Sequence, residues 1–429
     1  MNAAQSTLDQ LIGPEQFFWA AGIEDTFITA PFPKTNRTLD EYELTQHYDR
    51  WFEDIGLMQD LGIRHARYGI PWHRINPTAN TWDWSFADRA IDRLLDCGIH
   101  PILDLVHYGL PSWIENAYAN PDFPLYMAEY SRRAAERFKD RIRLWTPLNE
   151  PRVTAWYCGK LGWWPPGLRG WTGFLKVLIG VCRGIVQSGK AIQDVDPENL
   201  LVHVDATDLY ESADPSLQDE VTRRQEIVFL ALDLVSGKVT AEHSLYPWLL
   251  KNGVREADLS WFRENSLRLE IIGINLYPLF SQKVLKRSPH LRIQMPYAGG
   301  DIVARLGKMY SERYEVPVFV SETASLGSVK KRSAWLRDSV QSLRAARENG
   351  IPIVGYTWWP LFALVTWAYR QGTHPPEYYL KQMGLWDLMA DDHGNLNRVR
   401  TPLVDEFKAL VAGGAASVAN INSTHAERR

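Results

Sequence analysis

Eight short apolar runs alternate with eight amphipathic stretches along 429 residues, and that alternation predicts a single (β/α)8 TIM-type barrel of the α/β class. Several runs are apolar nearly throughout, as strands are when both faces of a sheet are covered. No Gly/Ser linker or shift in composition divides the chain, so the length is read as one domain with long loops. In order, Phe17–Ile23 is the first strand, followed by helical Trp51–Leu61, whose Leu57 and Leu61 fall on one face. Arg64–Ile70 is followed by Phe86–Cys97, with Leu94 and Leu95 on its buried side, and Pro101–His107 by Leu125–Lys139. Arg143–Asn149 precedes Gly173–Gln193, Leu200–Ala206 precedes Thr222–Val235, and Ile271–Tyr277 precedes Gly299–Tyr314. Val316–Glu322 precedes Arg332–Asn349, and Ile353–Trp359 precedes the closing helix Pro402–Val411. The long loops fall at Pro31–Asp49, Gly159–Trp171 and Arg370–Leu385. The barrel is assigned to residues 1–412, and the small polar residues 413–429 to a flexible tail.

Composition narrows the function classes. With 47 Lys and Arg against 51 Asp and Glu, the net charge of −4 supplies no basic field for nucleic acid. No apolar run reaches the length of a membrane span, and the first residues lack the charged and apolar parts of a secretory leader. Cys97, Cys158 and Cys182 fit neither a zinc site nor a disulfide framework and read as reduced, buried thiols, so a cytoplasmic protein is expected. The sequon at Asn422 is read as chance. The 18 Trp, about 4% of the chain, exceed ordinary usage and point to stacking on flat apolar ligands or sugar rings.

The chemistry is expected where the strands end, because barrel active sites sit at the C-terminal face. The fourth run ends in Asn149-Glu150-Pro151 and the seventh in Ser321-Glu322-Thr323. Two carboxylates facing across a barrel mouth are the machinery of glycoside hydrolysis: one protonates the leaving oxygen, and the other attacks the anomeric carbon or activates water.

The residues around these glutamates carry a resemblance. Thr146-Pro147-Leu148-Asn149-Glu150-Pro151 resembles the T-x-N-E-P motif of glycoside hydrolase family 1, the β-glucosidase family, and Pro317–Thr323 resembles its nucleophile motif. Ala66–Ile75 is similar to R-F-S-I-S-W-x-R-I, and Val106-His107-Tyr108-Gly109-Leu110-Pro111 to Y-H-W-D-L-P. Gly273–Tyr277 is similar to G-x-N-Y-Y, and Gly355–Trp359 to G-Y-F-x-W. The six segments occur in the family's order.

The resemblance implies a retaining β-glycosidase with no metal or organic cofactor, acting on a small glycoside or oligosaccharide. Glu150 would be the acid/base, with a raised pKa, and Glu322 the nucleophile, kept ionised by Arg67 and Tyr277. Asn149 would donate to the sugar's 2-hydroxyl, His107 would bind the 3-hydroxyl, and Trp359 would lie under the ring, with Asn275 and Trp367 also among the substrate-binding residues. The resemblance breaks at two places. Phe27 aligns with the family's sugar-gripping Gln, leaving Glu24 or Asp25 as replacement acceptors; Glu24 is the one carried forward. After Trp359, Thr366 stands where the family has the Glu that binds the 4- and 6-hydroxyls, with Ala363-Leu364 replacing Asp-Asn. Plain glucose is therefore not assumed as the sugar. A small hydroxyl residue at 366, with Arg370 and Lys381 downstream, is shared in part with 6-phospho-β-glycosidases, although Met383 replaces their Tyr. Trp163 and Trp164, with Trp113, Trp156 and Trp171, are candidates for an aromatic wall around the leaving group. A transglycosylase using the same glutamates and a non-catalytic carbohydrate-binding barrel are the other readings. The oligomeric state is left open.

Overall fold

The computed structural model describes residues 16–418 except Ser288. The eight runs form parallel strands β1 (Phe18–Gly22), β2 (His65–Gly69), β3 (His100–Asp104), β4 (Leu144–Thr146), β5 (Leu200–Ala206), β6 (Ile271–Asn275), β7 (Val318–Thr323) and β8 (Ile353–Trp358). They close into a barrel in chain order, with β1 paired to both β2 and β8. The helices alternate with them as α1 (His47–Asp60), α2 (Ser85–Asp96), α3 (Phe123–Arg137), α4 (Gly170–Val195), α5 (Gln218–Val235), α6 (Ile302–Tyr314), α7 (Val329–Glu348) and α8 (Leu403–Ala412). Each overlaps a stretch expected from the 3.6-residue period, with ends displaced by a few residues.

Strand alternation sorts the side chains. Phe18, Ala20, Ile102, Leu144, Leu200, Val202, Val204, Ile271, Phe319 and Val354 form an apolar cluster that fills the lower barrel. Their neighbours Ala66, Tyr68, Leu103, Ile272, Ile274, Val318 and Val320 belong to the larger core under the helices. Above the apolar plug, the inward positions turn polar: Arg67, Asp104, Asn149, Asn275 and Glu322 are all buried.

The loops hold more structure than their composition announced. Phe27–Ile28 pairs antiparallel with Leu39–Asp40, and a short helix, Glu41–Leu44, begins where Asp40 caps it by accepting from Glu43 N. In the last long loop, Leu380–Lys381 pairs with Leu364–Val365. At the tail, Gly414–Val418 forms a turn whose Gly414 O accepts from Trp19 Nε1 at 3.1 Å and whose Ser417 O accepts from Arg344 Nε at 2.6 Å. The rest of the expected tail, including Asn422, lies outside the described residues, as do the first 15 residues. Cys158 and Cys182 are buried, whereas Cys97, expected to be buried too, is partly exposed because it closes α2 at the surface; all three are free thiols. Among the described residues, no helix is long and apolar enough to cross a membrane.

Candidate active site

Two backbone irregularities place the two glutamates. In β7, the register against β6 shifts between Val320 and Glu322. Simple alternation would send Ser321 inward and Glu322 outward, but the shift lets both face the barrel interior. Ser321 Oγ donates to Asn275 Oδ1 at 2.6 Å, and Glu322 accepts from Arg67. At the other glutamate, the strand ends early and Glu150 adopts a left-handed conformation, φ 49° and ψ 66°, just before the Pro151 that opens the helix Pro151–Ala155. A non-glycine residue there costs on the order of 1 kcal/mol or more, and such outliers cluster at functional sites. Glu150 N donates to Val204 O at 3.0 Å and Asn149 N to Val106 O at 2.9 Å, which fix the bend between β3 and β5.

Glu322 is held by a cation and a hydroxyl. Arg67 Nη1 donates to Oε1, and Tyr277 Oη donates to Oε2 at 2.7 Å. Arg67 Nη2 also donates to Asp104 Oδ2 at 2.6 Å and Asn149 Oδ1 at 3.1 Å, so its guanidinium ties β2, β3, β4 and β7 together. Glu150 Oε1 accepts from Asn275 Nδ2 at 2.8 Å, and Oε2 accepts from the Tyr108 hydroxyl. Asn275 Nδ2 lies 3.1 Å from Asn149 Oδ1 as well, so one amide joins both strand-end residues.

Asn149 Oδ1 thus accepts from Arg67 and Asn275, which fixes its Nδ2 as a donor toward His107 Nε2 at 3.0 Å. That contact calls for the neutral ring with its proton on Nδ1, 2.7 Å from Asp25 Oδ1. Burial favours the neutral ring as well, whereas Asp25 and Asp104 push the imidazole well above its ordinary pKa. We assign the neutral ring, because two hydrogen-bonded neighbours set the Asn149 orientation. Burial likewise pushes Asp25 up to about 6 against the pull of His107.

Burial pushes the Glu322 carboxyl up to about 8; Arg67 opposes the shift and Glu150 reinforces it. The expectation assigned the raised group to Glu150 and an ionised Glu322. The difference arises because the enclosure of Glu322 outweighs its guanidinium.

Trp359 is buried beside these groups. Its ring lies parallel to His107 with centroids 5.8 Å apart, and the Arg67 guanidinium sits 4.8 Å from its centroid. Gly22 makes the room: a Cβ there would come within 2.1 Å of the Trp359 ring. Glu24 lies beside Trp359, accepting from its Nε1 at 3.3 Å and from Thr26 Oγ1 at 2.5 Å. Phe27 packs instead between Tyr42 and His73. Thr366 starts the turn Trp367–Arg370; its amide donates to Tyr379 O at 2.9 Å, and its side chain forms no capping bond.

The aromatic wall differs from the expectation in its members. Trp367 and Trp164 lie 4.9 Å apart, Tyr157 stacks on Trp164 at 4.5 Å, and Tyr108 meets both Trp164 and Trp367. Trp163 is exposed at its edge. Trp156 and Trp171 pack on each other away from this cluster, turned there by the helices that carry them, and Trp113, in a turn, donates to Asn76 O. Sequence reasoning missed Tyr157, the hydroxyl contact of Tyr108 and the buried Glu41. Tyr108 stands in a quoted motif where the family has Trp, and that exchange was the available signal.

Asp25, Asp104 and His107 bring one possible metal-ligand atom each within 4.8 Å of one another. Arg67 already donates to Asp104, and His107 Nδ1 faces Asp25, so these ligand atoms are engaged within the chain. Glu226, Asp233 and His243 group similarly around Arg313.

Known proteins resemble this chain in sequence and in fold. The profile of glycosyl hydrolase family 1 matches residues 20–277. Beta-glucosidase A of Thermotoga maritima is 26% identical over 376 residues, covering 79% of this chain and 81% of its own. Klotho of Mus musculus is 24% identical over 377 residues, which span 79% of this chain and 35% of that protein. The structure of the beta-glucosidase from Thermotoga maritima in complex with glucoimidazole has the same fold, with a TM-score of 0.78 at 22% identity over 95% of this chain and 99% of that one. The profile spans more than half of the sequence and runs through β1 to β6, so the chain belongs to glycosyl hydrolase family 1 and is a β-glucosidase-like glycoside hydrolase.

Proposed function

We propose that the chain is a retaining β-glycosidase that works by double displacement, with Glu322 as nucleophile and Glu150 as acid/base. The observation that carries this reading is the paired support of Glu322 by Arg67 and Tyr277, with Glu150 joined to the same network through Asn275. The sugar lies on Trp359, with Asn149, His107 and Glu24 around its hydroxyls. Glu322 attacks the anomeric carbon as its carboxylate while Glu150, the general acid, gives a proton to the glycosidic oxygen. Arg67 and Tyr277 orient the attacking carboxylate, and the oxygen facing the sugar loses its charge as the bond forms. Glu150 then takes a proton from water, which attacks the anomeric carbon and frees Glu322. Tyr108, Tyr157, Trp164 and Trp367 border Glu150 and suit an apolar or aromatic leaving group.

Two features weigh against a phosphosugar. The donors of buried Arg370 are used on Ala30 O and Trp163 O, and exposed Lys381 reaches only Tyr378 O. Glu24 also places a carboxylate beside Trp359. A transglycosylase would use the same residues and is separated by product analysis with added acceptors. A non-catalytic barrel is opposed by the intact pair.

The test is a panel of aryl β-glycosides, including 6-phosphorylated, pentose and deoxy sugars, followed across pH. Neutral glycosides are expected to be hydrolysed, with the 6-phospho sugar the poorest. Glu322 attacks only as the carboxylate, and burial holds its proton up to about 8. The acidic limb of kcat/KM should therefore rise as pH approaches about 8. A preference for the phosphosugar, or no turnover of any β-glycoside, would sink the reading.

A further inference from the structure

Tyr108 stands where the family's motif has Trp, so its phenol has no counterpart in the resemblance. Its hydroxyl donates to Glu150 Oε2, and its oxygen accepts from Asn149 Nδ2 at 3.2 Å. Asn149 Oδ1 takes Arg67 and Asn275, so the amide faces the phenol with an N–H, which leaves the phenol proton for Glu150. The ring is pinned on three sides. His107 meets it edge-on at 4.8 Å, and the centroids of Trp164 and Trp367 lie 5.1 and 5.6 Å away. The backbone is held as firmly. Tyr108 has φ 65°, a left-handed conformation like that of Glu150 at 49°, so a hydrogen bond joins two strained residues. Phe27 N donates to His107 O at 3.2 Å, and a Cβ on Gly109 would come within 2.4 Å of Phe27. Burial, then Glu150 and Glu322, push the phenol well above its ordinary pKa, so it keeps its proton to donate.

Resting on the glycosidase reading above, we propose that Tyr108 is a positioning residue that strengthens Glu150 as an acid, by donating to the carboxylate left when Glu150 gives up its proton. A hydrogen bond to an ionised carboxyl is about twice as strong as one to a neutral carboxyl. The Tyr108 bond therefore tightens as the proton passes from Glu150 to the glycosidic oxygen, while Tyr108 keeps its own proton throughout. It stabilises the transition state more than the bound substrate. Asn275 Nδ2 supports Oε1 in the same sense but is shared with Asn149, whereas the single phenol proton goes to Glu150. The substrates that gain are glycosides whose leaving group must be protonated, such as weakly acidic phenols, alcohols and sugars. Glycosides with strongly acidic leaving groups gain almost nothing.

The test compares the full-length protein with Tyr108→Phe, which keeps the ring and its packing, on aryl β-glycosides of one sugar with leaving groups from dinitrophenol to phenol. Rates are followed across pH beside thermal unfolding curves. For Tyr108→Phe, kcat/KM is expected to fall about 10-fold with phenol as leaving group and less than about 2-fold with dinitrophenol. The alkaline limb of the phenyl glycoside profile should move to higher pH, because the Glu150 carboxylate has lost a donor. A residue that served packing alone would lower every substrate alike and leave that limb in place. 3-Fluorotyrosine at position 108, a stronger donor of nearly the same shape, is the second route if Tyr108→Phe does not fold, and it should move the limb to lower pH. A limb unmoved in folded Tyr108→Phe, an equal loss for all leaving groups, or a limb raised by the fluorotyrosine would overturn the proposal. Leaving-group dependence in Glu150→Gln without any in Tyr108→Phe sinks the proposal alone, whereas no turnover by the unmodified protein removes the glycosidase reading and the proposal with it.

Discussion

Glu322→Gln is expected to lower kcat/KM for an activated aryl β-glycoside by at least about 10⁴-fold, because an amide cannot form the glycosyl ester. The loss should be the same for good and poor leaving groups, since attack on the anomeric carbon precedes both. The fold should survive the change. Arg67 keeps Asp104 and Asn149 as partners, and Tyr277 keeps an oxygen to donate to. Rates measured beside a thermal unfolding curve separate the two effects: wild-type turnover in a folded variant would remove Glu322 from the chemistry, and an unfolded variant would not count as support.

Glu150→Gln should behave differently. With an aglycone that needs protonation, the loss should reach about 10²–10⁴-fold, the usual contribution of a general acid. With a leaving group acidic enough to depart unaided, the first step should be nearly unaffected, and the glycosyl-enzyme should accumulate because no base activates water. A burst of aryl alcohol followed by a slow steady state is the expected record, and added azide should relieve it by attacking without a base. Uniform loss across leaving groups and no azide effect would contradict the role.

These outcomes rest on placements that the sequence showed unevenly. The barrel was legible because alternation is a local property: Leu57 with Leu61 declares a helix face, and FFWAAGI declares a covered strand, without knowledge of the partners. The strand-end rule then pointed to Glu150 and Glu322, and the family resemblance added Arg67, Asn149, Asn275, Tyr277, His107 and Trp359 around them, with Glu24 as a replacement acceptor. What stayed hidden depends on contacts far apart in the chain. The shift that turns Glu322 inward exists only against β6, and period-two reading of β7 cannot show it. Glu41 lay in a segment read as loop, and its meeting with Val365 joins residues 324 positions apart. The Asp40 cap at that helix was a local signal, since Asp followed by Glu at the third helical position marks a helix start. The wall residues misassigned, Trp113, Trp156 and Trp171, were chosen by nearness in sequence. A helix turns neighbours through 100° each, so nearness alone could not say which rings reach the mouth.

The central claim is that Glu322 carries the sugar during turnover. An activated 2-deoxy-2-fluoro-β-glycoside, whose fluorine slows both steps while its leaving group rescues the first, should trap that intermediate. Peptide mass analysis of the inactivated enzyme is expected to show one added fluoroglycosyl group, on the peptide holding Glu322, and none in Glu322→Gln. An adduct on another residue, or full inactivation without any covalent sugar, would contradict the account.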